Sequence, residues 1–201
     1  MRLLVCAILF LGACSSNEKR AETIQLPDLD VKVQESYIAF DEANEAFDDG
    51  DIERAIQGYQ EAVRLWGDNG QAWNNLGLAH MEVQDFRLAL DAFKRAAERM
   101  PTDPRPYENM GLLWHRRYYY ADAIQAYSKA LERDPQSIKA LRGVVLNTKL
   151  ANVATQESVD IINRALLIDG DAEWTDVYLR ERSRVKRRLE EEERLRAREA
   201  G

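Results

Sequence analysis

Cysteine is nearly missing from this chain of 201 residues: only Cys6 and Cys14 occur, both within its first 14 positions. The rest of the chain therefore has no disulfide framework, no thiolate metal ligand and no thiol nucleophile. A cysteine-free body suits an oxidising compartment. Histidine is almost as scarce, with His80 and His115 alone. Without cysteines or a paired-histidine spacing they form no recognisable zinc site. No glycine-rich phosphate loop and no G-x-S-x-G elbow is present. Carboxylates are abundant, but solvated helix faces account for them without acid–base catalysis. The sequence thus points to a non-enzyme with no catalytic residue, metal or cofactor. Proline (5) and glycine (10) are sparse too, and few stretches show the period-two alternation of a half-buried strand. An all-α fold is expected.

Apolar residues make up 45% of the chain and charged residues 31%. The formal net charge of −7 is unevenly spread. From Arg180 to Glu199 nine Lys/Arg face six Glu, a local +3, whereas Cys14–Leu179 carries 18 Lys/Arg against 29 Asp/Glu, a local −11. An acidic body argues against a nucleic-acid partner, since phosphate binding needs clustered positive charge.

The N-terminus reads as an address. Arg2 precedes an apolar run from Leu3 to Leu11, too short to span a hydrocarbon core, which takes ~20 apolar residues as a helix. This is the pattern of a secretory signal. Its end, Leu11-Gly12-Ala13-Cys14, resembles the lipobox of bacterial lipoproteins. The resemblance implies a signal peptide over 1–13, cleavage before Cys14, and acyl chains on Cys14 that anchor the protein to a membrane. Ser15 in place of an aspartate resembles the outer-membrane class of these lipoproteins, which face the periplasm. Residues 14–33 have little apolar periodicity and include Pro27. They are expected to form a lipidated tether.

The body repeats itself every 34 residues. Trp73, Leu76, Gly77, His80, Ala89, Phe93, Ala96 and Pro101 recur as Tyr107, Met110, Gly111, Trp114, Ala123, Tyr127, Ala130 and Pro135. The order of aromatic, apolar–Gly pair, large residue, Ala, aromatic, Ala and Pro resembles the tetratricopeptide repeat (TPR), a pair of antiparallel helices. A weaker copy upstream holds Ala55, Tyr59 and Ala62, and a degenerate copy follows Pro135, with Ile162 and Ala165 in phase after a one-residue insertion. The resemblance implies a TPR α-solenoid of about four helix pairs over 34–169, with repeats near 36–69, 70–103, 104–137 and 138–170. Asp103-Pro104 reads as an N-cap followed by proline at the first helical position. Terminal repeats need a polar outer face. The segment 171–201 supplies one, as a long charged capping helix and tail in which Trp174, Val177 and Tyr178 pack inward.

In this family the first helices of the repeats line a concave groove that binds peptides or a helix. Projected onto this chain, the groove comprises Tyr37, Phe40, Asn44 and Phe47, then Asn74 and Leu78, then Arg105, His115 and Arg116, and finally Lys139 and Arg142. One end is aromatic and the other basic, which favours a protein or peptide partner with an acidic segment. Asn44, Asn75 and Arg105 match three of the five positions with which some chaperone-binding members clamp a terminal carboxylate. Phe40 and Asn109 depart from the other two. Tyr118 and Tyr119 fall at a turn, either as packing or as an exposed aromatic edge. Two functions stay open at this point. One is a scaffold in assembly of a pilus or secretion apparatus, and the other is an adaptor that recruits a cell-wall hydrolase or protease.

Overall fold

The computed structural model describes residues 26–199, and Cys14, the signal segment and the start of the tether lie outside them. The described residues form nine α-helices and no strand. In order these are α1 (Leu26–Asp48), α2 (Ile52–Leu65), α3 (Gly70–Glu82), α4 (Phe86–Arg99), α5 (Arg105–Arg116), α6 (Tyr120–Arg133), α7 (Ile138–Leu150), α8 (Gln156–Ile168) and α9 (Ala172–Glu199). Helices pair antiparallel as α1/α2, α3/α4, α5/α6 and α7/α8, and each pair stacks on the next.

The segment expected to be tether up to residue 33 is helical from Leu26 onward. Pro27 does not oppose this. In the first turn of a helix its missing N–H has no intrahelical partner to lose, and its fixed φ suits the helix. The Asp103-Pro104 junction also differs by one residue. Pro104 is the cap and α5 begins at Arg105, while Asp103 still accepts the Arg105 N–H at 2.9 Å.

Small residues set how closely the helices pack. Ala55, Ala62, Ala89, Ala96, Ala123 and Ala130 on the second helices are wholly buried. Opposite them, a Cβ on Gly77 would lie 2.5 Å from the Phe93 ring, and one on Gly111 would lie 2.8 Å from the Tyr127 ring. A Cβ on Gly143 of the next repeat would lie 2.6 Å from the same Tyr127 ring, so that ring sits between two glycines. In the first pair the small residues exchange places: Ala43 stands on α1, and a Cβ on Gly58 of α2 would lie 2.7 Å from the Ala43 Cβ. Three core clusters follow one another along the stack.

Each pair turns through a residue with positive φ. These are Gly50 (81°), Gln84 (60°), Tyr118 (65°) and Asn152 (53°), spaced by 34 residues. The next helix is usually capped: Asp51, Asp85 and Thr155 accept backbone N–H groups of their helices. The third turn is the exception, because Tyr119 makes no side-chain cap. A bulky residue in the left-handed region costs about 1–2 kcal/mol, and a missing cap costs about 1 kcal/mol more.

The C-terminal helix closes the stack. Tyr178 and Val185 are fully buried against α7 and α8, and Trp174 and Leu189 pack beside them. Val185 and Leu189 therefore belong to the core. Farther along, Arg188 pairs with Glu192 at 3.3 Å, and Leu195 is half exposed.

Candidate functional site

The first helices of the pairs, α1, α3, α5 and α7, share the inner face of the stack, and side-chain amides link them. Lys139 Nζ donates to Asn109 Oδ1 at 3.1 Å. Asn109 Nδ2 donates to Asn74 Oδ1 at 2.9 Å, Asn74 to Asn75 at 3.2 Å, and Asn75 to Asn44 at 2.9 Å. Tyr59 donates its hydroxyl to the same Asn44 oxygen at 2.7 Å. Every donor points the same way along this ladder, so the bonds polarise one another. At its end the Asn44 amide N–H groups make no bond among the described residues. They border a depression of about 420 Å³ lined by Phe47, Asp48, Tyr59, Asn75 and Leu78. Its walls are apolar at Phe47 and Leu78 and amide-rich at the floor. Such a surface can hold an extended peptide, whose own N–H and C=O groups match an amide's donor and acceptor.

Several expected groove residues have other roles. Phe40 is buried, its ring 6.0 Å from Tyr59, and belongs to the core of the first pair rather than to a binding wall. It packs inward because α1 buries the stripe Ser36, Phe40, Ala43 and Ala46. Tyr37 remains exposed and lies 5.6 Å from Trp66. Asn74 is buried within the ladder. His115 is half-buried, with Nδ1 2.9 Å from Asn147 Oδ1. His80 is in the core, where burial lowers its pKa.

The basic end of the groove is neutralised from within. Arg105 binds Asp103 through Nε and Nη2, at 2.9 and 2.6 Å to Oδ2. Arg116 lies 3.5 Å from Glu82. Lys139 lies 3.4 Å from Glu108, which also accepts the Ser137 hydroxyl at 2.5 Å. Arg142 is the most heavily engaged. It donates to Asp169 at 2.7 and 2.9 Å and to Asp171 at 2.9 Å, and it covers the Trp174 ring at 4.9 Å. Tyr178 adds its hydroxyl to Asp169 at 2.6 Å. The Arg142 hydrogen bonds hold the Asp169 carboxyl well below the usual range and raise the guanidinium in turn. This cluster is a clasp between α7, the α8–α9 junction and α9. It was not anticipated because its acidic members lie 27 and 29 residues from Arg142, out of phase with the 34-residue repeat.

The carboxylate-clamp positions are also occupied. Asn44 and Asn75 bond to each other, Arg105 is held by Asp103, and Asp48 lines the same depression. Among the described residues no group of three or more His, Cys, Asp or Glu could hold a metal ion. No described helix is long and apolar enough to cross a membrane.

Tetratricopeptide-repeat family models match 40–104 and 78–138. Together the two matches to this repeat cover residues 40–138. Curated relatives include two proteins of Prochlorococcus marinus, each called photosystem I assembly protein Ycf3. One is 29% identical over 97 residues, which are 47% of this chain and 56% of the relative. The other is 31% identical over 103 residues, 49% and 60% of the two chains. The chain thus spans a little over half the length of these relatives. Among solved structures, a crystal structure of MamA superposes with a TM-score of 0.57 at 18% identity, covering 83% of this chain and 85% of that one. The first TPR domain of Spaghetti (RPAP3), bound to the HSP90 peptide SRMEEVD, superposes with a TM-score of 0.57 at 17% identity, covering 60% and 96%. At such identities the likeness is one of fold. A TPR stack is a protein-interaction scaffold, and here the amide ladder marks its inner face.

Proposed function

We propose that this chain is a non-catalytic assembly scaffold that holds an extended segment of a client protein along its inner face. The observation that carries this reading is the amide ladder from Lys139 to Asn44, with the Phe47–Leu78 depression at its free end. Amides read the backbone of an extended segment, and the depression takes one apolar side chain. The paired arginines change the expected ligand. With Arg105, Arg116 and Arg142 each facing a carboxylate, an acidic client gains little there, because exposed ion pairs contribute about 0–1 kcal/mol. The names of the curated relatives favour an assembly role.

The scaffold acts at a membrane, held by acyl chains on Cys14, at the periplasmic side of the outer membrane. The Leu11–Cys14 pattern and Ser15 support this address. An envelope machine such as a pilus or secretion apparatus would be the client complex. Intact mass of the mature chain tests the anchor, and an unmodified Cys14 would end that part of the reading. The groove is tested with a photo-crosslinking amino acid placed at Leu78 or at exposed Lys94 on α4. The client should crosslink from Leu78 and not from Lys94. Equal crosslinking from both positions would refute the groove.

A further inference from the structure

The third turn departs from its three equivalents in a way that stability does not explain. At the left-handed position the other turns use Gly50, Gln84 and Asn152, whereas here Tyr118 adopts φ 65°. At the capping position the first two turns use Asp51 and Asp85, whereas here Tyr119 caps nothing. Both choices cost folding free energy, and both place a large apolar ring in solvent. Tyr118 is 78% exposed and Tyr119 51%.

The two rings are held in place. Tyr119 meets Trp114 edge-on, with centroids 5.6 Å apart and an interplanar angle of 81°. Tyr118 meets Tyr120 edge-on at 6.3 Å and 87°. They border an open cleft of about 620 Å³ between the second and third turns, lined also by Met81, Phe86, Arg116 and Arg117. Arg117 lies over the Phe86 ring at 5.2 Å and makes no ion pair among the described residues.

We propose that this cleft binds a proline-containing extended segment that carries a carboxylate, on a partner protein. The chemistry follows from the lining. Braced aromatic faces suit a flat, rigid ligand group, and a pyrrolidine ring in a polyproline II segment is already ordered, so little entropy is lost on docking. A cation would also stack on tyrosine, but Arg116 and Arg117 outnumber Glu82 and repel it. The unpaired Arg117 selects a carboxylate beside the prolines. The surface is separate from the amide ladder, and the two are tested independently.

The probe is a synthetic peptide of about twelve residues repeating Pro-Pro-Glu, enough for about four polyproline II turns. Binding to the whole mature protein is followed by fluorescence anisotropy. Wild type should bind it, and the same peptide with alanine for proline should bind at least tenfold more weakly. The variant Tyr118→Gly/Tyr119→Asp restores the residues of the first turn, Gly50-Asp51. It should lose at least tenfold in affinity while its melting temperature does not fall. Arg117→Gln should weaken binding several-fold and flatten its salt dependence. Leu78→Glu, in the inner face, should leave it unchanged. Four results would each overturn the proposal: no binding by wild type, equal binding of the alanine peptide, unchanged binding by the double variant, or a fall in its melting temperature. The last would show that the tyrosines serve packing. Phosphatidylglycerol vesicles supply the remaining contrast. If they, and not the peptide, bind in a tyrosine-dependent way, the edge is a membrane contact and the protein-partner reading is wrong.

Discussion

Gly143→Ala adds a single methyl group, and its effect should have the opposite sign to that expected for an ordinary helix position. Gly143 lies inside α7. There, alanine is favoured over glycine by about 0.8–1 kcal/mol, so an unobstructed substitution stabilises the protein. At this position the new Cβ would lie 2.6–2.7 Å from three atoms of the Tyr127 ring, about 1 Å inside a normal carbon contact. The ring has little room to move, because it packs so closely on Gly111 that a Cβ there would also lie 2.8 Å from it, and Tyr127 is only 5% exposed. Overpacking of this kind costs about 1–3 kcal/mol. After the gain in propensity, a net loss of up to about 2 kcal/mol is expected. At about 2–4 °C per kcal/mol for a protein of this size, the melting temperature should fall by up to about 8 °C. Urea denaturation of Gly143→Ala, Tyr127→Ala and the double variant separates the terms. Once the ring is gone, the methyl group should become neutral or stabilising, so the two changes should be strongly coupled. A Gly143→Ala protein that melts above the wild-type temperature would refute the sandwiched ring.

The clasp gives a second test. Arg142→Ala leaves the Asp169 carboxylate buried with only Tyr178 and a backbone N–H to bind it, and should cost about 3 kcal/mol in urea denaturation. Arg142→Lys should recover only part of this, because an ammonium group cannot span Asp169 and Asp171 as the guanidinium does. Alkaline pH acts on the buried tyrosines. Burial pushes the Tyr127 hydroxyl up to about 12 and raises Tyr178 too, with Asp169 adding to the shift. Unfolded tyrosine ionises near pH 10. The folded state therefore holds more protons above that pH, and stability should be full below about pH 10 and fall toward pH 12. Denaturation midpoints across that range, with tyrosinate absorbance as a second signal, check the sign. In the groove, Leu78→Glu should abolish client crosslinking from a photo-crosslinking residue at Phe47, on the other wall of the depression, while circular dichroism shows the helices still folded.

The repeat was legible because it rests on residues whose spacing reports packing directly. Gly77, Gly111 and the buried alanines recur at 34 residues since each repeat makes the same close contact. The inner face was less legible. Reading it from repeat position placed Phe40 beside Asn44 on the groove, yet α1 turns Phe40 inward, where it packs against Tyr59 instead. The arginines misled for a different reason. A charge counted along the chain says nothing of its partner, and Asp169 and Asp171 reach Arg142 only because α9 folds back over the last pair. The ladder itself had a signal that could have been read. Asn44, Asn75 and Asn109 sit on successive first helices, and Asn74 bridges the last two.

The clasp also bears on symmetry. A stack of helix pairs has two unlike ends, and in an uncapped array the end of one copy fits the start of the next. Here α9 covers one end and is fastened there by Arg142 and Tyr178. The other end presents α1, with Leu29, Val31 and Ile38 exposed. Head-to-tail joining at that end would have to use the outer face of α9 in place of α7 and α8. Two copies meeting through α1 against α1 would make an isologous contact around a two-fold axis, which stops at a dimer.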